Sequence, residues 1–263
     1  LAGKDALSSG TKELAGNAIS KAAADLWANK GKGLVVCGSN DHATQCVVNG
    51  INEMLGNYGT TIDLDNYSKQ YTATDAGFEA FVGELASGGV KAVIMYGVNP
   101  VYTYHDSKKI ADGIKKAELS VSLSTSIDDT AKVCQYVAPD NHFLESWGDA
   151  EIKAGYYGFA QPTIQRVFET RQALESFLVW SGNNTPAYDY IKNNWKTKMF
   201  GAQTKYTSFT TMWNESIQNG VFALPAKTPV AYTSATNYAE MASKIAAPSK
   251  DGSLEFIAYE GVA

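Results

Sequence analysis

The sequence predicts an α/β fold with a doubly wound, mostly parallel sheet and a helical C-terminal extension. The apolar run at residues 92–96 is typical of a central strand that is buried on both faces. Strand and helix patterns alternate from residue 33 to residue 139, which is typical of a parallel sheet. Beyond residue 166 the apolar residues recur with helical spacing. Together these patterns indicate a Rossmann-like architecture.

The single elements follow from periodicity and from the positions of glycine and proline. Helical spacing of apolar residues predicts helices at residues 11–29, 75–87 and 106–117 and in the segment that carries Val47, Ile51, Met54 and Leu55. Short apolar or alternating runs predict strands at residues 34–37, 61–64, 92–96, 121–124 and 136–139. Four of the five tryptophans fall at apolar positions of predicted helices, so we expect them in the core, with Trp147 as the exception.

We divide the chain into an α/β domain, residues 1–165, and a helical extension, residues 166–263, that ends in a truncated strand at residues 254–259. The first residue is not Met, and the last apolar run stops near the end of the chain. We therefore expect an excised fragment of a longer protein.

Composition excludes some classes of partner. The formal charge of −5 comes from 27 acidic and 22 basic residues without a long run of either sign, which does not favour nucleic acid or an anionic membrane surface. No apolar stretch approaches the roughly 20 residues that span a bilayer. The first residues lack the apolar core of a signal peptide. We expect no direct insertion into a membrane.

The cysteines and two of the histidines do not predict a metal centre. Cys37, Cys46 and Cys134 form no Cys-x-x-C pair, which argues against an iron–sulfur cluster or a structural zinc in this segment. We expect three buried, inert thiols. His42 and His105 lie near predicted helix starts, where a capping or solvated role is expected.

A third histidine leaves an alternative open. His142, with Glu145 and Asp149, could form an acid/base or metal site, although loop carboxylates more often cap backbone amides. These residues lie at residues 142–162, a segment without clear period that we expect to be a long loop, and such loops are uncommon unless functional. No G-x-S-x-G elbow and no P-loop support a hydrolase or a nucleoside triphosphatase.

The segment after the predicted strand at residues 92–96 is the expected ligand site. Gly97 ends the strand, and Asn99-Pro100 keeps the chain extended before the next helix. In open α/β sheets, ligands bind at the carboxyl ends of the strands. The earlier turn at residues 39–41 lacks the G-x-G-x-x-G spacing, so there we expect side chains that cap a helix.

Four strings carry a resemblance to a known family. They are Gly33-Leu-Val-Val-Cys-Gly38, Asn52-Glu-Met-Leu-Gly-Asn-Tyr-Gly59, Tyr96-Gly-Val-Asn-Pro100 and His142-Phe-Leu-Glu-Ser-Trp-Gly-Asp149. In this order and spacing, over roughly residues 30–200, the chain resembles the molybdopterin oxidoreductase superfamily. The closest likeness is to the molybdopterin-oxidoreductase-like (iron–sulfur) subunit of bacterial alternative complex III, a respiratory quinol:electron acceptor oxidoreductase.

The resemblance implies the position of a pterin-guanine dinucleotide site. In cofactor-bearing members two loops help to hold that group, and by position they correspond to Gly97, Asn99, Pro100, Glu145, Gly148, Asp149, Gly155 and Gln161. The second loop departs from the family pattern, because Gly148-Asp149 and Ala154-Gly155-Tyr156 stand where Gly-Thr, Asn and Glu-Gly-Arg are usual. The arginine that would pair with phosphate is therefore missing. We expect a vestigial site without catalytic or metal-binding residues.

The function that the resemblance implies is a non-catalytic scaffold in a membrane-associated respiratory complex, on the periplasmic side of a bacterial inner membrane. The expected partners are the other subunits of that complex, and we expect no cofactor in this segment. An alternative is the cofactor-binding part of an active molybdopterin oxidoreductase, which would hold molybdopterin guanine dinucleotide. A stand-alone dinucleotide-binding domain is a third possibility.

Overall fold

The computed structural model describes residues 17–70 and 73–245. Of these, residues 17–65 and 227–245 belong to one compact unit, and residues 66–226 to a second. The predicted domain boundary at residue 165 lies inside the second unit and stays a prediction. The predicted strand at residues 254–259 and Leu14 of the first predicted helix lie outside the described residues.

The described elements confirm the predicted α/β class. The helices are α1 (Ala18–Ala28), α2 (His42–Met54), α3 (Asp75–Ser87), α4 (Pro100–Thr103), α5 (Ser107–Lys116), α6 (Ala173–Trp180), α7 (Ala187–Asn194), α8 (Phe209–Asn219) and α9 (Tyr238–Ser243). The strands are β1 (Ala92–Met95), β2 (Leu119–Ser122), β3 (Tyr136–Val137), β4 (Gly148–Lys153), β5 (Tyr156–Ala160) and β6 (Val221–Ala223). Within the described ranges, no helix has both the length and the apolarity that a membrane crossing requires.

In the first unit, α2 packs against α9. The predicted cap of α2 is present, since the Asp41 carboxylate accepts a hydrogen bond from the Thr44 amide at 2.7 Å. Gly50 makes the close approach of the two helices possible, because a Cβ there would lie 2.7 Å from the Tyr238 ring. The Tyr238 hydroxyl also donates a hydrogen bond to Glu53.

The predicted strand at residues 34–37 is wrong. Residues 34–37 have no regular secondary structure and pair with no strand of the described chain, and Leu34 and Val36 are exposed. A side chain takes the place of a neighbouring strand: the Asn52 amide accepts a hydrogen bond from the Val35 N–H at 3.0 Å and donates one to the Val35 carbonyl at 2.8 Å. Residues 61–64 also form no strand, and only an isolated bridge joins Tyr58 and Ile62.

The expectation of three buried thiols is wrong. The thiols are not all buried, since Cys37 is exposed and Cys46 and Cys134 are half-buried. In α1 the stripe that Ala18, Ala22 and Leu26 form buries none of its described residues. Periodicity indicates which face of a helix is apolar, but it does not show whether another element covers that face.

The second unit contains the parallel sheet, in the order β1-β2-β3. Ala92 pairs with Leu119 and Met95 with Ser122. Helices α3 and α5 cover one face of β1, and the core there consists of Val82, Leu85, Val93, Met95, Ile110, Ile114 and Ala117. The opposite face is less covered, because Ile94 is 41% exposed. The prediction of a central strand buried on both faces is therefore wrong for β1. Among the described strands, β1 lies at the edge of its sheet.

A glycine on α5 allows this close packing. A Cβ on Gly113 would lie 2.9 Å from the Leu85 Cγ and 3.2 Å from the Ala86 nitrogen, both on α3. We expect Gly113→Ala to lower the free energy of unfolding by about 1–2 kcal/mol, since the overlap outweighs the gain in helix propensity.

Gly83→Ala on α3 is the matched control, because a Cβ there would have no neighbour within 4 Å. That change is expected to stabilise the chain by up to about 1 kcal/mol through helix propensity. Urea unfolding followed by circular dichroism measures both variants. Stabilisation by both changes would contradict the close packing of α3 and α5.

Residues 142–162 are not the expected long loop, because residues 148–160 form a β-hairpin. β4 pairs with β5 in antiparallel register, Gly148 opposite Ala160, and β5 pairs with β6. The turn has Gly155 at φ +74°, a conformation that favours glycine. Aromatic side chains of β5 enter a second core, whose buried members are Ile191, Trp195, Met212, Trp213 and Phe222. The region predicted to be helical beyond residue 166 thus also supplies a strand, β6.

The tryptophans divide differently from the prediction. Trp195 and Trp213 are buried, as expected, whereas Trp27 and Trp180 are about half exposed. Trp27 packs under the Lys30 ammonium, which lies 3.8 Å from the ring centroid. An apolar position on a predicted helix therefore predicted burial correctly only for Trp195 and Trp213, which pack on the antiparallel sheet.

Candidate functional site

The loop after β1 is held in place by a buried threonine. Asn99 Oδ1 accepts hydrogen bonds from the Thr130 amide at 3.1 Å and from the Thr130 hydroxyl at 2.7 Å. The Thr130 Oγ1 accepts a third bond, from the Val101 amide at 3.1 Å. The side-chain carbonyl of Asn99 therefore fixes the loop to Thr130. Gly97, at φ +66° with no atom within 4 Å of an added Cβ, leaves its backbone open to a ligand.

His142 and Glu145 form a local cap, which is the structural role that the sequence left open beside an acid/base one. The His142 Nδ1 accepts a hydrogen bond from the Leu144 amide at 3.3 Å, and Glu145 Oε2 accepts one from the His142 amide at 3.1 Å. Glu145 Oε1 accepts a further bond from the Val167 amide at 3.0 Å. The His142 Nδ1 and both carboxylate oxygens of Glu145 are thus occupied by backbone groups.

β4 begins at Gly148, and its next residue is tied to the second core. Asp149 Oδ2 accepts a hydrogen bond from the buried Trp195 Nε1 at 2.7 Å. Just before β4, the Trp147 backbone is bound by the side chain of Gln172, whose Oε1 accepts from the Trp147 amide and whose Nε2 donates to the Trp147 carbonyl. The Trp147 ring packs on Tyr188, with 4.8 Å between ring centroids.

A cavity of about 570 Å³ lies at the carboxyl end of β1, and we call it the Trp147 cavity. Its volume is within the range of small-molecule sites, about 300–1,000 Å³. Its wall includes aromatic, carboxylate and glycine residues, namely Tyr96, Gly97, Asp140, Phe143, Trp147, Gly148, Asp149 and Phe177. A second cavity of about 270 Å³ also has Tyr96, Gly97 and Asp140 in its wall, together with Asn99 and Asp128.

The charged groups on these walls are all acidic. Asp140 and Asp149 line the Trp147 cavity, and Asp128 lines the second one. Among the described residues, no lysine and no arginine lines either cavity. Burial raises the pKa of Asp140 above its ordinary value, against backbone hydrogen bonds from Ala173 and Asn141 that lower it. Burial, and then the charge of Asp140, raises the pKa of Tyr96.

The structure brings together only part of the predicted site. Gly97, Gly148 and Asp149 line the Trp147 cavity, and Asn99 lines the second cavity. Pro100 begins α4 and lines a separate apolar groove beside Ile94. The other three predicted residues, Glu145, Gly155 and Gln161, line neither cavity and bond elsewhere in the second unit, as Gln161 Nε2 does to the Ile217 carbonyl at 2.8 Å.

Two residues of the site were not predicted from the sequence. Asp140 directly follows Pro139, which ends the predicted strand at residues 136–139, so its place at the carboxyl edge of the sheet could have been inferred. Thr130 gave no such signal, because its bonds to Asn99 cross 31 residues of sequence.

The charged side chains of these walls do not suit the pyrophosphate of a pterin-guanine dinucleotide. Its pyrophosphate is an anion, and protein sites for such groups use arginine, lysine or a helix N-terminus. Here the neighbouring charges are the carboxylates of Asp128, Asp140 and Asp149, which repel an anion. Gly97 keeps the open backbone that a dinucleotide site needs. The loop geometry is thus present, but the charge of its surroundings is of the opposite sign.

The described residues offer no cluster of metal ligands. Within residues 17–70 and 73–245, no three His, Cys, Asp or Glu side chains lie close enough to hold a metal ion. Cys46 Sγ lies 3.6 Å from His42 Nε2, one turn away on α2. Burial raises the pKa of the Cys134 thiol to about 11, so this thiol is a poor nucleophile at neutral pH.

Comparison with known proteins supports the coarse resemblance. No protein-family model matches the chain. Over 105 residues the chain is 29% identical to the molybdopterin-binding-like subunit of the menaquinone reductase of Nitratidesulfovibrio vulgaris. This alignment covers 37% of this chain and 15% of that subunit. The chain thus spans a small part of that relative's length. The similarity is to a quinone reductase subunit, and the assignment to alternative complex III stays a prediction.

Among solved structures, acetylene hydratase from Pelobacter acetylenicus superposes on 56% of this chain and 20% of its own, with a TM-score of 0.41 and 18% sequence identity.

Proposed function

We propose that this chain is a non-catalytic scaffold segment of a respiratory quinone oxidoreductase subunit, in which a pterin-dinucleotide site has become vestigial. The similarity to a menaquinone reductase subunit supports the respiratory role. The charge of the site is the main support for a vestigial cofactor site. Three aspartates and no basic residue of the described chain line the two cavities beyond β1 and β2.

The finer assignment is to the molybdopterin-oxidoreductase-like subunit of alternative complex III. In that role the chain binds other subunits of a membrane complex on the periplasmic side of a bacterial inner membrane and carries no molybdenum. The four sequence strings around residues 33–38, 52–59, 96–100 and 142–149 support this assignment. Affinity purification of the chain from its native membranes, with identification of the co-purified subunits by mass spectrometry, tests it.

One observation favours the alternative, an active molybdopterin oxidoreductase. Gly97 keeps a positive φ and an unobstructed backbone at the carboxyl end of β1, and the adjoining cavity is of ligand size. In that case other parts of the complex would have to supply the positive charge that the described residues lack around the cavity.

A cofactor assay on the isolated complex distinguishes the two functions. We expect molybdenum by elemental analysis, and pterin by fluorescence after oxidation, at far below stoichiometric amounts relative to this chain. A cofactor-bearing molybdoenzyme purified from the same cells by the same steps is the control for cofactor loss. Stoichiometric molybdenum and pterin in the complex would show that the scaffold proposal is wrong.

A further inference from the structure

We propose that the Trp147 cavity binds a guanidinium group. This inference goes beyond the respiratory scaffold function and does not depend on it. It starts from the disagreement between the inherited loop at Gly97, which suits a ligand, and the walls, which repel an anion. A ligand of the opposite charge removes that disagreement, and the walls indicate what kind of cation it is.

The two carboxylates are held by the protein and keep acceptors for a ligand. Asp140 Oδ1 accepts hydrogen bonds from the Asn141 amide at 2.8 Å and from the Ala173 amide at 2.7 Å. In Asp149 it is Oδ2 that accepts, from Trp195 Nε1 at 2.7 Å. In the part of the chain that the structure describes, the other oxygen of each carboxylate has no donor. Both carboxylates are thus positioned by one oxygen, with the second left for a donor in the cavity.

Aromatic rings form much of the remaining wall. Tyr96 is 58% exposed, Phe143 69% and Phe177 39%, and Trp147 is half-buried. Four aromatic side chains beside two carboxylates are a typical surrounding for an organic cation, because ring faces attract a positive charge and carboxylates accept its hydrogen bonds. A neutral apolar ligand would offer no donor to the second oxygen of either carboxylate, and an inorganic cation would leave the rings unused.

The guanidinium ion matches this wall better than an ammonium ion. It is planar, stacks on aromatic faces, is weakly hydrated and carries five donors in a fixed fork that matches a carboxylate. An ammonium ion is a compact charge that holds its water more strongly. Burial already disfavours the charged form of Asp140, so a cation in the cavity would offset this cost by stabilising the ionised carboxylate.

Calorimetric titration of the full 263-residue chain tests the ligand class. The probes are Nα-acetylargininamide, its neutral isostere Nα-acetylcitrullinamide, Nα-acetyllysinamide and the anion GDP. We expect the arginine derivative to bind more tightly than the lysine derivative, and no binding of the citrulline derivative or of GDP. Equal binding of the arginine and citrulline derivatives would overturn the site, as would binding of GDP alone.

Substitutions place the bound probe in the cavity. Asp140→Asn and Asp149→Asn keep the oxygens that accept the Ala173 and Trp195 hydrogen bonds but remove the charges, and each is expected to weaken arginine binding about 10- to 100-fold. Phe143→Leu removes an exposed ring and is expected to weaken it about 2- to 5-fold.

Asp112→Asn is the matched control. Asp112 pairs with Lys108 on α5 and does not line the cavity, so its loss changes the net charge equally without touching the site. We expect unchanged affinity in this variant. An equal loss in the Asp112 and Asp140 variants would show attraction by net charge rather than a site.

A second pair of probes identifies the source of the guanidinium. Agmatine stands for a free metabolite, and the peptide Gly-Gly-Arg-Gly-Gly stands for an arginine in a partner protein. Tighter binding of the peptide assigns the cavity to a polypeptide, and tighter binding of agmatine assigns it to a small molecule. Failure of both probes would overturn the guanidinium site, while the molybdenum assay would still decide the scaffold function.

Discussion

Replacing Trp195 with alanine is expected to lower the free energy of unfolding of the second unit by about 3–5 kcal/mol, the usual cost of truncating a fully buried aromatic residue. Trp195 is 1% exposed. Its ring contacts four aromatic rings of the antiparallel-sheet core, with centroid distances of 5.2 Å to Tyr157, 4.7 Å to Phe159, 6.4 Å to Trp213 and 5.3 Å to Phe222. The substitution would therefore leave a cavity at the centre of this cluster.

The same change also affects the candidate site. Trp195 Nε1 donates the hydrogen bond that orients Asp149, so alanine leaves that carboxylate without its protein donor. Trp195→Phe separates the two effects, because it retains most of the ring volume and removes only the donor. We expect Trp195→Phe to destabilise the unit much less than Trp195→Ala. Both variants are expected to perturb the orientation of Asp149 equally, because both lack the donor.

Trp180→Ala is the matched control for volume and residue type. Trp180 ends α6 with about half of its surface exposed and contacts Phe177 at 5.7 Å between ring centroids. Its truncation is expected to cost about 1 kcal/mol or less. Hydrogen exchange measured peptide by peptide reports on the second unit alone. Equal losses of protection in the two alanine variants would contradict the central position of Trp195.

The sequence predicted best those elements whose pattern is local. The helix at residues 106–117 appears as α5, with Ile110 and Ile114 buried as expected, because helical spacing alone determines which face is apolar. The end of β1 was likewise predicted, since a glycine and an Asn-Pro pair must interrupt a strand. The charge of the site was partly predicted too, through the missing arginine.

The failures have a common physical cause, which is pairing between distant residues. The apolar run at residues 34–37 is typical of a strand, but its backbone partner is a side chain 17 residues away. The hairpin of β4 and β5 gave no clear period, because a register irregularity between Glu151 and Lys153 interrupts the alternation. The rings of Tyr157 and Phe159 on β5 are partly buried against a core to which α7 and α8 contribute, and local sequence does not contain that information.

Asn52, whose side chain bonds to the Val35 backbone in place of a neighbouring strand, is expected to contribute strongly to the stability of the first unit. Asn52 is 2% exposed, and besides its two bonds to Val35 its Oδ1 accepts a hydrogen bond from Asn57 Nδ2 at 2.8 Å. Asn57 is fully buried, and its own Oδ1 has no partner among the described residues. Both residues belong to the string at residues 52–59 that carries part of the family resemblance, so this string has a structural role here.

We expect Asn52→Ala to lower the free energy of unfolding of the first unit by about 2–4 kcal/mol, since it leaves the Asn57 amide and the half-buried Val35 backbone groups without partners. Asn49→Ala, one turn earlier on α2, is the control, because Asn49 is exposed and alanine there gains helix propensity. Asn57→Leu should cost less than Asn52→Ala, since it removes an unpaired buried oxygen together with one bond.

Hydrogen exchange of the Val35 amide measures the local effect of these three changes. If Asn52 takes the place of a neighbouring strand, this amide loses protection in Asn52→Ala and keeps most of it in Asn57→Leu, whose Asn52 side chain still accepts from Val35. Retained protection in Asn52→Ala would mean that the extended segment at residues 34–37 is held by other contacts. The structural role that we assign to the string at residues 52–59 would then not include this backbone pairing.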